Sequence, residues 1–381
     1  MPSASPAVED PAEALALEAE IRSTLRAFLA DVAPLAVTRR YLDGTGDDPS
    51  VLWRRMVGEL GLVGLAVPTV LGGDGLAPGL AGVVFEELGR NLVPVPSFGT
   101  LGLAVPLLTA LGTDDAVAAL APVISGSSIA TVGWVGPAGD WDPRSTPVRI
   151  DIEGSTATVN GRLHHVIDGD RVDRLFVVGR DPSGALGVVS VAADAVGLRF
   201  LPADHLDPTR PAAGVELTDV EGEVVGAGDC SDAVVRAVLT GAALLAAESA
   251  GAARHALELT VEYVKVRHQF GRPIGSFQAV KHRCADMLAR VELMSALAAE
   301  AVDAVSESGN DARETVLAAA AYAADAFTFV ASEMIQLHGG IGFTWEHDAH
   351  LFFRRAKSSE VTFGAAAELR SAIALQRGWR A

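Results

Sequence analysis

Over residues 11–35 the apolar positions Leu15, Leu17, Ile21, Leu25, Phe28 and Leu29 recur at helical spacing. A second helix is expected over 49–59 and a third over 80–89, ending at Arg90, with further helices to about residue 123. Near Ser125 the period shortens. Residues 129–134, 148–152, 157–160, 175–178, 186–191 and 215–217 read as short strands separated by Gly, Asp and Pro. Helical spacing returns at 232–266, 276–308, 311–337 and 349–356, and a last helix begins near 365. Residues 1–10 read as a disordered leader. The pattern predicts an α+β multidomain chain: an N-terminal helical domain (1–125), a middle β-domain (126–228) and a C-terminal helical domain of four-helix-bundle type (229–381).

Of 381 residues, 49% are hydrophobic, and 48 acids against 30 bases give a formal charge of -18. That balance argues against nucleic acid as a partner, because phosphate backbones demand a basic footprint. It also means that any site for a phosphorylated ligand must gather its own local cations. Cys230 and Cys284 are too few for a disulfide framework. The first residues lack a secretory pattern, and no apolar run is long enough to span a membrane without interruption by Gly or charge, so a cytoplasmic protein without membrane spans is expected. No metal-ligand spacing, Rossmann fingerprint or nucleophile elbow is present.

Two motifs stand out. The first is Arg267-His268-Gln269-Phe270-Gly271-Arg272-Pro273-Ile274, followed by Phe277-Gln278-Ala279-Val280. A guanidinium at the end of a long helix can meet a pyrophosphate with two parallel hydrogen bonds, or simply complement the helix dipole. The second is Gln336-Leu337-His338-Gly339-Gly340-Ile341-Gly342. Paired glycines after a helix either cap it or let a dinucleotide approach the backbone. In this order, and with Leu60-Gly61-Leu62-Val63-Gly64-Leu65, Glu86-Glu87-Leu88-Gly89-Arg90 and Gly342-Phe343-Thr344-Trp345-Glu346-His347-Asp348, the chain resembles the acyl-CoA dehydrogenases over nearly its whole length. The ending resembles an actinobacterial branch of that family.

The resemblance implies the acyl-CoA dehydrogenase fold, FAD as cofactor and oxidation of acyl-CoA thioesters between the α and β carbons, as in fatty acid or steroid degradation. It implies that Arg267, Phe270, Phe277, Gln278, Gln336, Gly339, Gly340 and Gly342 contact FAD, largely that of a neighbouring subunit. Val135 and His165 fall where family members carry a flavin-facing threonine and tryptophan, and Ile167 replaces a second threonine. His164 and His165 can equally be ordinary strand residues. A proton-abstracting carboxylate must reach the α-carbon. The usual glutamate position holds Phe363, in Thr362-Phe363-Gly364-Ala365, and the minority position holds Gly241. Glu248 shares the helix face of Gly241. It is either a displaced base or the structural partner of an arginine, while Glu360 is expected to point elsewhere. Three readings follow: a subunit without its own base, paired as dimer or tetramer with a glutamate-bearing family member; a self-sufficient dehydrogenase; or a flavin monooxygenase of the same fold. Electron-transfer flavoprotein is the electron acceptor that the resemblance implies.

Overall fold

The computed structural model describes residues 11–201, 203–306 and 310–379. The expected leader lies outside them. Contacts group the chain into two compact units. One holds Tyr41–Leu80 and Pro94–Gly241, with the chain up to Ala16. The other holds Leu17–Arg40, Ala81–Val93 and Ala242–Ala381. The N-terminal helices divide between them.

In the first unit, helix α3 (Pro49–Leu60) starts where Asp48 accepts a hydrogen bond from Ser50 N and Pro49 supplies a preset φ, and it stops at Gly61 with φ +63°. A π-helical turn (Phe98–Ala104) runs into α5 (Val105–Leu111), and Thr113 caps α6 (Asp114–Ile124). The strands are β1 (Ala130–Gly133), β2 (Arg149–Glu153), β3 (Thr156–Ile167), β4 (Arg174–Arg180), β5 (Leu186–Ala192), β6 (Leu198–Leu201) and β7 (Ala212–Gly226). The mostly antiparallel order β4–β2–β3–β7–β5 closes on itself through a β4–β5 pairing, with β1 beside β4 and β6 beside β7. Closure removes most free edges. The interior is apolar, with Val148, Ile150, Leu163, Val177, Val189 and Val215 each at most 1% exposed.

The second unit is the bundle: α1 (Pro11–Val32) from Leu17, α2 (Leu35–Leu42), α4 (Gly79–Arg90), α7 (Ser231–Val266) from Ala242, α8 (Gln278–Ala304), α9 (Asn310–His338), α10 (Ala349–Ser359) and α11 (Ala366–Gln376). Two glycines decide why α4 belongs here. A Cβ on Gly251 would lie 1.8 Å from Glu86 O, and one on Gly89 would lie 2.1 Å from Glu248 O. So α4 and α7 cross backbone against backbone, which no side chain would permit. Arg22 then pairs with Glu86 at 2.5 Å and Arg26 with Glu87 at 2.6 Å, tying α1 to α4. By length and composition, Ser231–Val266 and Asp311–Phe343 are apolar enough to cross a membrane. Of their most apolar stretches, 67% and 56% are buried inside the protein, as core helices are.

Candidate cofactor and base sites

Helix α7 ends at Val266, and a two-stranded ribbon follows: β8 (His268–Gln269) and β9 (Arg272–Pro273). Its loop is Phe270-Gly271, with φ of +53° and +78°. Both central residues thus take the positive φ of a type I′ hairpin turn. Glycine does so freely, whereas a phenylalanine there is strained. Phe270 is also 90% exposed. Arg267 is exposed, and among the described residues no ion pair engages it. Phe277 precedes Gln278, the first residue of α8. The Phe277 ring meets Phe270 edge-on at 6.1 Å, and the Arg272 guanidinium lies 4.1 Å from its centre.

The second motif lies at the same end of the bundle. Tyr263, one turn before Arg267, stacks on His338 with ring centroids 4.3 Å apart, and its hydroxyl donates to His338 O at 3.3 Å. Gln336, Gly339 and Gly340 are exposed. Gly339 closes α9 with φ +63°, yet a Cβ on it or on Gly340 would meet nothing within 4 Å. Here the helix-cap reading and the open-backbone reading hold together. Gly342 differs, since its Cβ would lie 2.7 Å from Ile335 O, so packing demands glycine there. Arg267 and Lys281, the exposed N-terminus of α8, two glutamine amides and open glycine backbone make a donor set that fits an anionic dinucleotide.

In the first unit, Val135 and His165 are brought together, for His164 N donates to Val135 O at 2.7 Å. Val135 is buried at 2%. His165 sits in a bulge of β3 with φ +52°, where the register against β7 shifts between Leu163 and Val166. Its ring stacks on Trp141 at 6.3 Å, and Trp141 O accepts from the Trp134 indole at 3.0 Å. Partial burial, then the neighbouring His164 and His205, hold the His165 imidazole below its usual pKa. Ile167 is buried, and its carbonyl accepts from the Thr131 hydroxyl at 2.7 Å. Sequence reasoning passed over Trp141, whose only signal was an aromatic in a Gly/Pro/Asp loop.

Phe363 keeps the left-handed backbone of a tight turn, φ +67°, followed by Gly364 at +110°, and is 6% exposed. It lines a small cavity with Ala242, Leu245, Ala246, Ser249 and Leu369. That lining contains no carboxylate. Ala242 follows Gly241 directly, so the small-residue face of α7 and the Phe363 turn meet at one place. Glu248 is buried at 6% and its Oε1 accepts from Arg355 at 2.8 Å, with Arg355 only 2% exposed. An arginine thus holds the carboxylate of Glu248. Glu360 pairs with Lys357 and accepts from Thr328 at 3.3 Å. Among the described residues no group of three or more His, Cys, Asp or Glu could hold a metal ion.

A helical bundle, a closed β-sheet, and an end of the bundle with exposed cations and open glycines suited to a dinucleotide fit the flavoprotein oxidoreductase class. The models for the acyl-CoA dehydrogenase N-terminal and C-terminal domains match residues 16–127 and 232–376. Acyl-CoA dehydrogenase IpdE2 of Mycobacterium tuberculosis is 36% identical over 342 residues, 89% of this chain and 90% of that protein. Among solved structures, a variant of the Tcur3481–Tcur3483 steroid ACAD superimposes with TM-score 0.85 at 28% identity, over 96% of this chain and 98% of that one. The ChsE4–ChsE5 complex of Mycobacterium tuberculosis gives 0.82 at 27%, over the same shares. The chain belongs to the acyl-CoA dehydrogenase family, whose members are FAD-dependent oxidoreductases.

Proposed function

We propose that this chain serves the α,β-desaturation of an acyl-CoA thioester as a subunit without its own base, in a dimer or tetramer with a family member that carries the glutamate. The carrying observation is Phe363, an apolar ring packed on the small-residue face of α7, in a cavity whose lining has no acid. The nearest carboxylate in α7, Glu248, is ion-paired to Arg355. Resemblance to a steroid ACAD and to the ChsE4–ChsE5 complex supports a bulky, steroid-type acyl group and a heteromeric assembly.

In this reading Arg267, Gln278, Gln336 and the backbone at Gly339 and Gly340 would hold FAD together with a neighbouring subunit, and Phe270 and Phe277 would contact it. Gly342 shapes the loop. When bound, FAD supplies the acceptor for the β-hydride. The partner's glutamate would take the α-proton, and an electron-transfer flavoprotein would be the final electron acceptor. The working division is 1–125, 126–228 and 229–381, with association through the C-terminal helices. Leu288 and Leu293, 46% and 47% exposed on α8, favour such a contact.

The test is co-expression with a glutamate-bearing family member. In the complex, replacing the partner's glutamate by glutamine abolishes turnover, whereas Glu248→Gln in this chain leaves turnover per bound flavin unchanged. Loss of turnover with Glu248→Gln, flavin retained, would instead make Glu248 the base.

A further inference from the structure

The loop over residues 339–348 carries the open glycines and two outward aromatics, Phe343 and Trp345, 80% and 72% exposed. Its two ends are held by imidazoles. His338 closes α9 and His347 precedes α10, and their rings lie 4.3 Å apart with planes at 48°. Tyr263 of α7 stacks on His338 at the same centroid distance, 4.3 Å. Hydrogen bonds fix the tautomers. His338 Nδ1 is 2.7 Å from Met334 O, which only accepts, so its proton is on Nδ1. Ala349 N donates to His347 Nδ1 at 3.1 Å, so that nitrogen keeps its lone pair and the proton is on Nε2.

Neither ring can take a second proton without loss. On His347 it would land on Nδ1, break the bond to Ala349 N, and set a cation at the N-terminus of α10. On His338 it would charge a ring only 4% exposed, beside another imidazole. The groups facing the pair do not compensate. The Tyr263 phenol from α7 faces His338, while at His347 the attraction of Asp348 is opposed by Arg39 from α2. Asp348 is already engaged by Arg39, whose Nε donates to it at 2.9 Å and whose Nη1 donates to Trp345 O at 2.7 Å. Burial holds both imidazoles below the ordinary histidine range.

We propose that the Tyr263–His338–His347 ring stack is a proton-sensitive latch that keeps residues 339–348 in the shape offered to the cofactor while His347 is neutral, and frees the loop when His347 is protonated. The link to FAD rests on the reading of Gly339 and Gly340 given above, but the latch itself does not. Tyr263 and the two histidines are positioning residues.

The test is amide hydrogen exchange across residues 339–348 in the full chain without FAD, corrected for intrinsic rates, between about pH 7.5 and pH 5.5. FAD affinity is measured by flavin fluorescence on the same samples. One linked proton changes an equilibrium by up to about tenfold per pH unit. Loop protection is expected to fall on that scale, with FAD affinity falling in parallel. In His347→Asn the amide oxygen still accepts from Ala349 N but does not titrate, so protection stays flat; His347→Gln serves if that variant fails to fold. Protection independent of pH in the wild type, or an Asn variant that loosens like the wild type, overturns the latch. A loop that loosens while FAD affinity holds supports the latch and removes the loop from the cofactor site.

Discussion

Two phenylalanines in the bundle share one backbone conformation and opposite surroundings. Phe270 has φ +53° and is 90% exposed; Phe363 has φ +67° and is 6% exposed. A bulky side chain in the left-handed region costs on the order of 1–3 kcal/mol, so each must be held there by something. Phe363 is held from inside, by the small residues of α7 and by Leu369. Phe270 meets the edge of Phe277 and is otherwise open, so the β8–β9 pairing across its turn, not packing of its ring, holds its conformation. The difference teaches how the protein divides its labour. Phe270 stands in solvent, while Phe363, at the position where the resemblance would put a base, is a buried apolar ring.

The largest expected effect lies at the closed place. Arg355→Ala strips Glu248 of its buried partner and should cost about 3–5 kcal/mol, read from denaturant midpoints. A loss under about 1 kcal/mol would mean that this pair does not hold α10 to α7. Next, Phe363→Ala should cost about 3 kcal/mol for the emptied space. Phe363→Gly should recover about 1 kcal/mol of that, because glycine adopts the positive φ freely. Equal stabilities for the two variants would show the turn to be unstrained.

At the open end the effects move from stability to binding. Arg267→Ala should weaken FAD retention by about 1.5–3 kcal/mol, some ten- to hundredfold, while FAD-free stability stays within about 0.5 kcal/mol. An unchanged flavin-to-protein ratio at equal oligomer content would reduce Arg267 to a helix-end charge. Phe270→Asn should stabilise the isolated chain by up to about 1 kcal/mol, since Asn-Gly suits a two-residue turn with positive φ, yet weaken FAD-dependent association. A variant that gains stability and loses nothing in assembly would remove Phe270 from the interface.

The smallest effect is in pH dependence, where buried histidines and a buried aspartate carry opposite signs. His255, His338 and His347 have folded pKa values lowered by burial. Below the ordinary histidine value the unfolded chain binds more protons, so the bundle loses stability as pH falls. Asp168 behaves the other way. It is fully buried and accepts from Gly99 N at 2.9 Å, and burial raises its pKa from 3.8 to about 6. Between those values the folded state binds more protons, so this group favours folding as pH falls. Stability measured against pH checks both signs, and Asp168→Asn should erase only the second.

The course of the fold was legible wherever periodicity was sustained. The long bundle helices fall within a few residues of their expected bounds. Residues 11–35 read as one helix, but the chain breaks after Val32, where Pro34 intervenes, and α2 follows. Of α2 only Thr38 is buried, anchored by donation to Asn91 O at 3.0 Å, a contact that periodicity cannot show. Strand β3 runs on to Ile167 because bulges interrupt its alternation, and the half-buried β6 exists through its pairing with β7. At the candidate site, the motifs pointed to Arg267, Phe363 and the glycines. Arg355 as the partner of Glu248, and the stack of Tyr263 on His338, join residues 107 and 75 positions apart. No local signal could pair them.

The central claim is that this chain carries no working base of its own. It is tested most directly by turnover of the purified chain alone, given FAD, a steroid-type acyl-CoA and an artificial electron acceptor, in parallel with Glu248→Gln. The account predicts no desaturation above background in either sample. Robust turnover that survives Glu248→Gln would contradict it.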